Sequence, residues 1–180
     1  GVIVQLPIAN AEALLAKIPP EKDVDALGFS PMVLAPVAEA VREILTRTGV
    51  EVKNKKVVVV GAGKLVGIPC AQLLRSLGAE VSVVTLESGS LAELKDADMV
   101  VSGAGSPGLI KPDMLKAGVV LIDAGTSEMA GKLSGDADPT CAEVASIFTP
   151  VPGGMGPIAV AMIFKNLYEL TSSKFLSRPR

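Results

Sequence analysis

The chain has no histidine and no tryptophan, one tyrosine, four phenylalanines and two cysteines in 180 residues. Without histidine, and with no metal-ligand spacing between Cys70 and Cys141, a zinc site would have few donors, so no metal is expected. Both thiols read as small buried hydrophobes. Aromatics make up 3% of the chain and hydrophobic residues 49%, so the interior must be packed from Val, Leu, Ile and Ala, as buried parallel sheets are. Basic clusters are also missing: 17 Lys and Arg stand against 19 Asp and Glu, a net charge of −2. Neither nucleic acid nor an anionic membrane is therefore an expected partner. No signal peptide is recognisable and no apolar run reaches about 18 residues, which gives the expectation of a soluble, cytoplasmic protein. Small molecules remain as ligands.

The run Val57-Val58-Val59-Val60-Gly61-Ala62-Gly63-Lys64-Leu65-Val66-Gly67-Ile68-Pro69 is what the chain has instead. A valine strand, a glycine turn and the start of a helix form the corner where unpaired N–H groups and the helix dipole face a pyrophosphate. A side chain at Gly61 is expected to abolish binding there and to leave the fold largely intact. The next strand, Glu80-Val81-Ser82-Val83-Val84-Thr85, leads into Leu86-Glu87-Ser88, with Glu87 twenty residues beyond Gly67. A carboxylate there accepts hydrogen bonds from the adenosine ribose and repels a 2′-phosphate, and no Lys or Arg lies between Arg75 and Lys95. That pattern favours NAD, with NADP possible. The alternative for Glu87 is a solvated loop residue.

Strands expected near 57–60, 81–85, 99–102, 119–122 and 147–149 alternate with helices near 66–77, 90–96 and 112–116, the pattern of an α/β, Rossmann-like, doubly wound parallel sheet. Ahead of it, Gly1 to Pro7 reads as a short apolar strand whose partner is a missing segment, a later strand or another chain. Residues 10–18 read as a helix capped by Asn10, and Glu21 to Pro36 as an irregular loop. A helix from Val37 to Thr48 ends at Gly49, and another is expected from Pro157 to about Ser172, with Val160, Ala161, Phe164, Leu167 and Tyr168 on one stripe. The expected organisation is a remnant of a second α/β domain over 1–36, the dinucleotide domain over 37–156 and a C-terminal helix over 157–180 that returns toward that second domain.

Four segments in order, Val4-Gln5-Leu6-Pro7, Pro20-Glu21-Lys22-Asp23-Val24-Asp25, the glycine turn, and Thr149-Pro150-Val151-Pro152-Gly153-Gly154-Met155-Gly156-Pro157, together resemble the methylenetetrahydrofolate dehydrogenase/cyclohydrolase family. The resemblance covers nearly the whole chain. It implies a homodimer and hydride transfer from the methylene bridge of a tetrahydrofolate derivative to the nicotinamide. It implies catalytic roles for Gln5 and Asp25, and a folate site made of Gln5, Leu6, Pro7, Asp25, Pro152, Gly153, Gly154 and Pro157. Asp25 matches the carboxylate that accepts two parallel pterin donors as a bidentate pair. Gln5 matches a residue beside the reacting folate; the alternative is a polar residue at a strand end. On the cofactor side the glycine turn, Gly61, Ala62, Gly63, Lys64, Leu65, Val66 and Gly67, and the acid Glu87 are expected to bind the dinucleotide together with Gly105, and Asp123, Gly125 and Thr126 resemble the family's nicotinamide-side loop.

The chain departs from the family pattern in several places. Ala62 and Gly63 stand where relatives carry Arg and Ser, and Thr85-Leu86-Glu87 where they carry His-Ser-Arg; both changes remove 2′-phosphate contacts. Between Gly28 and Val37 the family's Cys-Thr-Pro loop is shortened. No residue matches the catalytic Lys of the cyclohydrolase step, so that activity is expected to be weak or absent. The rival reading is a non-catalytic nucleotide-binding module derived from the enzyme. A glycine turn alone would also admit an unrelated amino-acid dehydrogenase, which Pro150 to Pro157 does not fit.

Overall fold

The computed structural model describes residues 1–85, 87–129 and 131–176; the expectation for Leu86 beside Glu87 lies outside them. Five parallel strands form the central sheet: β1 (Lys56–Val60), β2 (Glu80–Val84), β3 (Met99–Ser102), β4 (Val120–Asp123) and, after a two-stranded hairpin, β7 (Ile147–Thr149). Their order is β2-β1-β3-β4-β7. The hairpin pairs β5 (Ser127–Met129) with β6 (Lys132–Ser134). Successive residues of β1 point to opposite faces of the sheet, so four valines in a row serve two cores at once. Val57 and Val59 pack in one core with α2 (Pro36–Thr48) and α3 (Gly67–Ser76); Val58 and Val60 pack in the other with Leu94, Ile110, Leu121 and Cys141. Each such valine, fully buried, contributes about 1.5–3 kcal/mol relative to exposure. Both thiols are fully buried, and burial pushes Cys70 up to about 12.

Helix α2 starts with a proline in its first turn and ends at Gly49, whose φ of 70° is left-handed and whose N–H reaches the Leu45 carbonyl. It packs against α3 and against the long last helix, α4 (Met155–Leu176). Because all β-strands of the sheet run the same way and β1 lies between β2 and β3, the chain reverses direction across the sheet at the β1/β3 boundary. That boundary is the switch point where doubly wound sheets open a crevice at their carboxyl ends. Among the described residues no helix is long and apolar enough to cross a membrane.

Several local expectations are corrected. Gly1 to Pro7 is not a strand: it makes one isolated parallel bridge, Val2 to Asp23, which is too little pairing to hold an extended segment. The helix at 10–18 is shorter, α1 (Ala11–Leu15), and Asn10 does not cap it; its φ of 55° is left-handed and its side chain makes no cap bond. The crossovers at 91–96 and 112–114 are 3₁₀ turns rather than α-helices, the tighter form that short connectors commonly take. The hairpin β5–β6 is absent from the sequence reading; three-residue strands carry too little alternation to be seen. On α4, Val160, Phe164 and Tyr168 face outward, while among the described side chains Met155, Asn166 and Leu170 are buried.

Candidate functional site

The glycine turn is built by close packing of main chain. Gly61 holds φ at 97°, and a Cβ there would sit 2.7 Å from the Gly103 carbonyl oxygen. A Cβ on Gly67 would meet the Gly61 carbonyl oxygen at 2.0 Å, and one on Gly103 would meet Val66 at 2.3 Å. These glycines let α3 and the ends of β1 and β3 touch, so a side chain at Gly61 is expected to cost folding stability, where the sequence alone led to the expectation of a fold left largely intact. Gly63 is different: nothing lies within 4 Å of its Cβ position. Open space beside backbone N–H groups at a helix entry is the geometry that admits an anionic group.

Three cavities follow one another along the carboxyl edge of the sheet. The first, 580 Å³, lies at the ends of β1 and β2 and is lined by Gly61, Thr85, Glu87, Ser90, Leu91 and Ala104 among others. None of its lining residues is Lys or Arg. Thr85 shapes its rim: its Oγ1 accepts from the N–H groups of Glu87 and Ser88 at 3.2 and 3.0 Å. The middle cavity, 420 Å³, is lined by Leu6, Gly63, Lys64, Leu65, Val66, Gly103, Gly105 and the Ala124-Gly125-Thr126 loop. Lys64 Nζ donates to Glu12 Oε1 at 2.8 Å, which ties the glycine turn to α1 and lowers the Glu12 carboxyl below its ordinary range. The third, 490 Å³, brings Asp25, Asp123 and Leu133 together with Pro150, Val151, Pro152, Gly153 and Pro157. It shares Leu65, Val66, Ala124, Gly125 and Thr126 with the middle one, so the two open into a common trough.

Two buried aspartates shape the floor of that trough. Asp123 Oδ1 accepts from the N–H groups of Gly125 and Asp136 at 2.9 and 3.2 Å, and Oδ2 from Ala137 at 2.8 Å. Burial raises its carboxyl above the usual range, against the pull of those three N–H donors. Asp136 takes the Ser102 hydroxyl and the Ala104 and Ser106 N–H groups, each at 2.7 Å. Gly125 and Gly135 leave the room these carboxylates occupy, since a Cβ on either would lie within 2.2 Å of one of them. The Asp123 side chain is thus committed to its own loop; what it offers a ligand is the shape of Gly125 and Thr126, not a free carboxylate. Thr149 Oγ1 completes the joint by accepting from Asp123 N–H at 2.8 Å.

Asp25 is half-buried and lines the third cavity. Burial first, and the neighbouring Asp23 second, raise its carboxyl above the usual range. Gln5 is exposed, its amide donating only to the adjacent Leu6 carbonyl at 3.3 Å, and the structure does not bring it to any of the three cavities. Pro7, Ala62, Gly67 and Gly154 line none of them either. Gly154 serves the loop itself, where a Cβ would meet the Pro150 carbonyl oxygen at 2.5 Å. Sequence reasoning missed Asp136, Thr149 and Asn166 as shaping residues. The only signal for Asp136 was an acid among the small residues Ser134, Gly135 and Ala137.

A parallel sheet whose switch point carries a glycine turn at a helix entry, with cavities on both sides along its carboxyl edge, defines a dinucleotide-binding domain of the doubly wound class. The family model for the NAD(P)-binding domain of tetrahydrofolate dehydrogenase/cyclohydrolase matches residues 35–175, and the chain belongs to that family. The bifunctional protein FolD of Staphylococcus aureus strain Newman is 37% identical over 183 aligned residues, which cover 92% of this chain and 63% of that protein. Among solved structures, the Trypanosoma brucei methylenetetrahydrofolate dehydrogenase-cyclohydrolase, complexed with NADP and an inhibitor, matches with a TM-score of 0.87 and 36% identity over 96% of this chain and 67% of that one. The Campylobacter jejuni bifunctional enzyme matches with a TM-score of 0.91 and 30% identity, over 97% and 67%. The chain therefore spans a little under two thirds of the length of the curated relative it matches.

Proposed function

We infer that this chain carries out the dehydrogenase step on 5,10-methylenetetrahydrofolate, taking a hydride from the folate methylene bridge to NAD. The observation that carries this reading is the common trough, in which the glycine-turn cavity and the Asp25 cavity share five lining residues. Two flat rings lying in one trough are held face to face, and hydride transfer depends chiefly on that alignment. NAD supplies the hydride acceptor; the protein supplies position. The residues fit such a cofactor: Gly63 leaves open space at the α3 entry, and Glu87 lines a cavity with no lining cation. Glu87 accepts from the adenosine ribose hydroxyls, and the backbone from Gly61 to Gly67 receives the pyrophosphate. Gly105, Gly125 and Thr126 border the nicotinamide end. Asp25 accepts the paired pterin donors, and Pro152, Gly153 and Pro157 wall the ring.

On this reading residues 37–156 are the cofactor domain, 1–36 belong with a folate domain, and 157–180 return to it; the assembly is a homodimer. No residue of this chain matches the base of the cyclohydrolase step. The test is calorimetric titration of the chain with NAD, NADP and a reduced folate. NAD binding tighter than NADP, and folate binding weakened by about 2–4 kcal/mol in Asp25→Ala, are the expected results. Cofactor binding with no folate binding would instead favour a non-catalytic module.

A further inference from the structure

The turn that carries Asp25 is held from two sides. From within, the buried Asp23 folds its carboxylate back over the turn: Oδ1 accepts from Leu27 N–H at 3.2 Å and Oδ2 from Gly28 N–H at 2.7 Å. Gly28 leaves just enough room, since a Cβ there would lie 2.9 Å from Asp23 Oδ2. From outside, Asn166 on α4 donates its side-chain amide to the carbonyl oxygens of Val24 and Leu34, both at 2.9 Å. It is 2% exposed, on the helix that also packs Met155, Ile158, Ala159 and Met162 against the core. Between the two holds, Ala26 keeps a left-handed φ of 56°, which a non-glycine residue retains only when its surroundings impose it. Asp25 is flanked by Val24, whose carbonyl is pinned, and Ala26, whose backbone is strained.

A buried amide placed where a leucine would pack costs free energy unless its hydrogen bonds are made. Here they are made to a segment more than a hundred residues away in sequence, to the main-chain carbonyls on either side of the Asp25 turn. A bidentate contact to a ring N–H and its neighbouring exocyclic amine tolerates misplacement of only about 0.5 Å, so a carboxylate on an unpinned turn would recognise them poorly. We propose that Asp23 and Asn166 form a clamp whose role is to aim Asp25 into the third cavity, which makes Asn166 a positioning residue for the folate although it touches no ligand. The clamp rests on the reading of Asp25 as the pterin acceptor. It also distinguishes the two halves of the trough: the dinucleotide end does not depend on it.

The experiment is titration of the full 180-residue chain with 5-formyltetrahydrofolate and, separately, with NAD, comparing the unmodified protein with Asn166→Leu, Gly28→Ala and Asp25→Ala. Asn166→Leu keeps the volume and removes both donors; Gly28→Ala pushes the Asp23 carboxylate from the other side and spares the α4 packing, so it serves if the first variant does not fold. Each of these two is expected to lower folate affinity by about tenfold and to leave NAD affinity within about twofold. A purely structural role would lower both affinities together or neither. If Asp25→Ala loses folate while folded Asn166→Leu or Gly28→Ala binds it normally, the clamp is wrong. If the unmodified chain binds no folate, or Asp25→Ala binds it normally, the folate reading itself fails and the clamp falls with it.

Discussion

The two ends of the trough are made by different means. Around Gly61 and Gly67 the site is main chain against main chain, with carbonyl oxygens at 2.0–2.7 Å from where a Cβ would be. Around Asp25 it is side chains reaching across the molecule, from Asp23 within the turn and from Asn166 on α4. A site made of backbone is specified by a short local run and resists only the substitutions that add atoms. A site made of distant side chains is specified by residues that look unremarkable where they stand, and it fails when any one of them loses its donors.

The floor of the trough belongs to both ends, so breaking it should erase the contrast. Asp136→Ala leaves the Ser102 hydroxyl and the Ala104 and Ser106 N–H groups without their acceptor, and a loss of roughly 3–5 kcal/mol of stability is expected. Urea unfolding measures it; a loss near zero would mean that water replaces the carboxylate.

Exchanging charge at the cofactor end sharpens the contrast. Glu87→Arg together with Ala62→Arg should shift the NAD-to-NADP preference by about tenfold or more, since a charge-assisted contact is worth about 1.5–3 kcal/mol, with folate affinity unmoved. Calorimetry that finds NADP the tighter ligand of the unmodified protein would remove the assignment of Glu87.

Gly63→Val separates the glycines from one another. With nothing near its Cβ position, the valine should leave the folding midpoint unchanged and weaken dinucleotide binding by about 1–3 kcal/mol. Gly61→Val, at a φ of 97° and against the Gly103 carbonyl, should lose stability as well. Equal behaviour of the two variants in melting and in NAD titration would show that the phosphate site lies elsewhere.

The smallest effect concerns pH at the Asp25 end. Folding raises the Asp25 carboxyl above its unfolded value, so its ionised form costs stability at pH above the folded titration, and the cost disappears as pH falls below it. Asp25→Asn should therefore be the more stable protein at neutral pH, by under about 1 kcal/mol given its partial exposure, with the gap closing toward about pH 4. Urea midpoints at the two pH values decide it, and a gap that widens on acidification would contradict the burial argument.

The sheet was legible because four valines, a glycine turn and recurring apolar strands carry their own periodicity, and strands near 57–60, 99–102 and 147–149 stand where that periodicity puts them. The short pieces were not: residues 1–7 and Asn10 have strand-like and cap-like local character that too few tertiary contacts support. Local chemistry alone determined that a dinucleotide corner exists and that an acid, Glu87, follows it, because backbone torsion and nearest-neighbour packing act within a few residues. Only the tertiary structure decided that Asp123 serves its own loop, that Gly61 is held by Gly103, and that Asn166 reaches the Asp25 turn, because hydrogen bonds between segments as much as 142 residues apart leave no periodic trace in the chain.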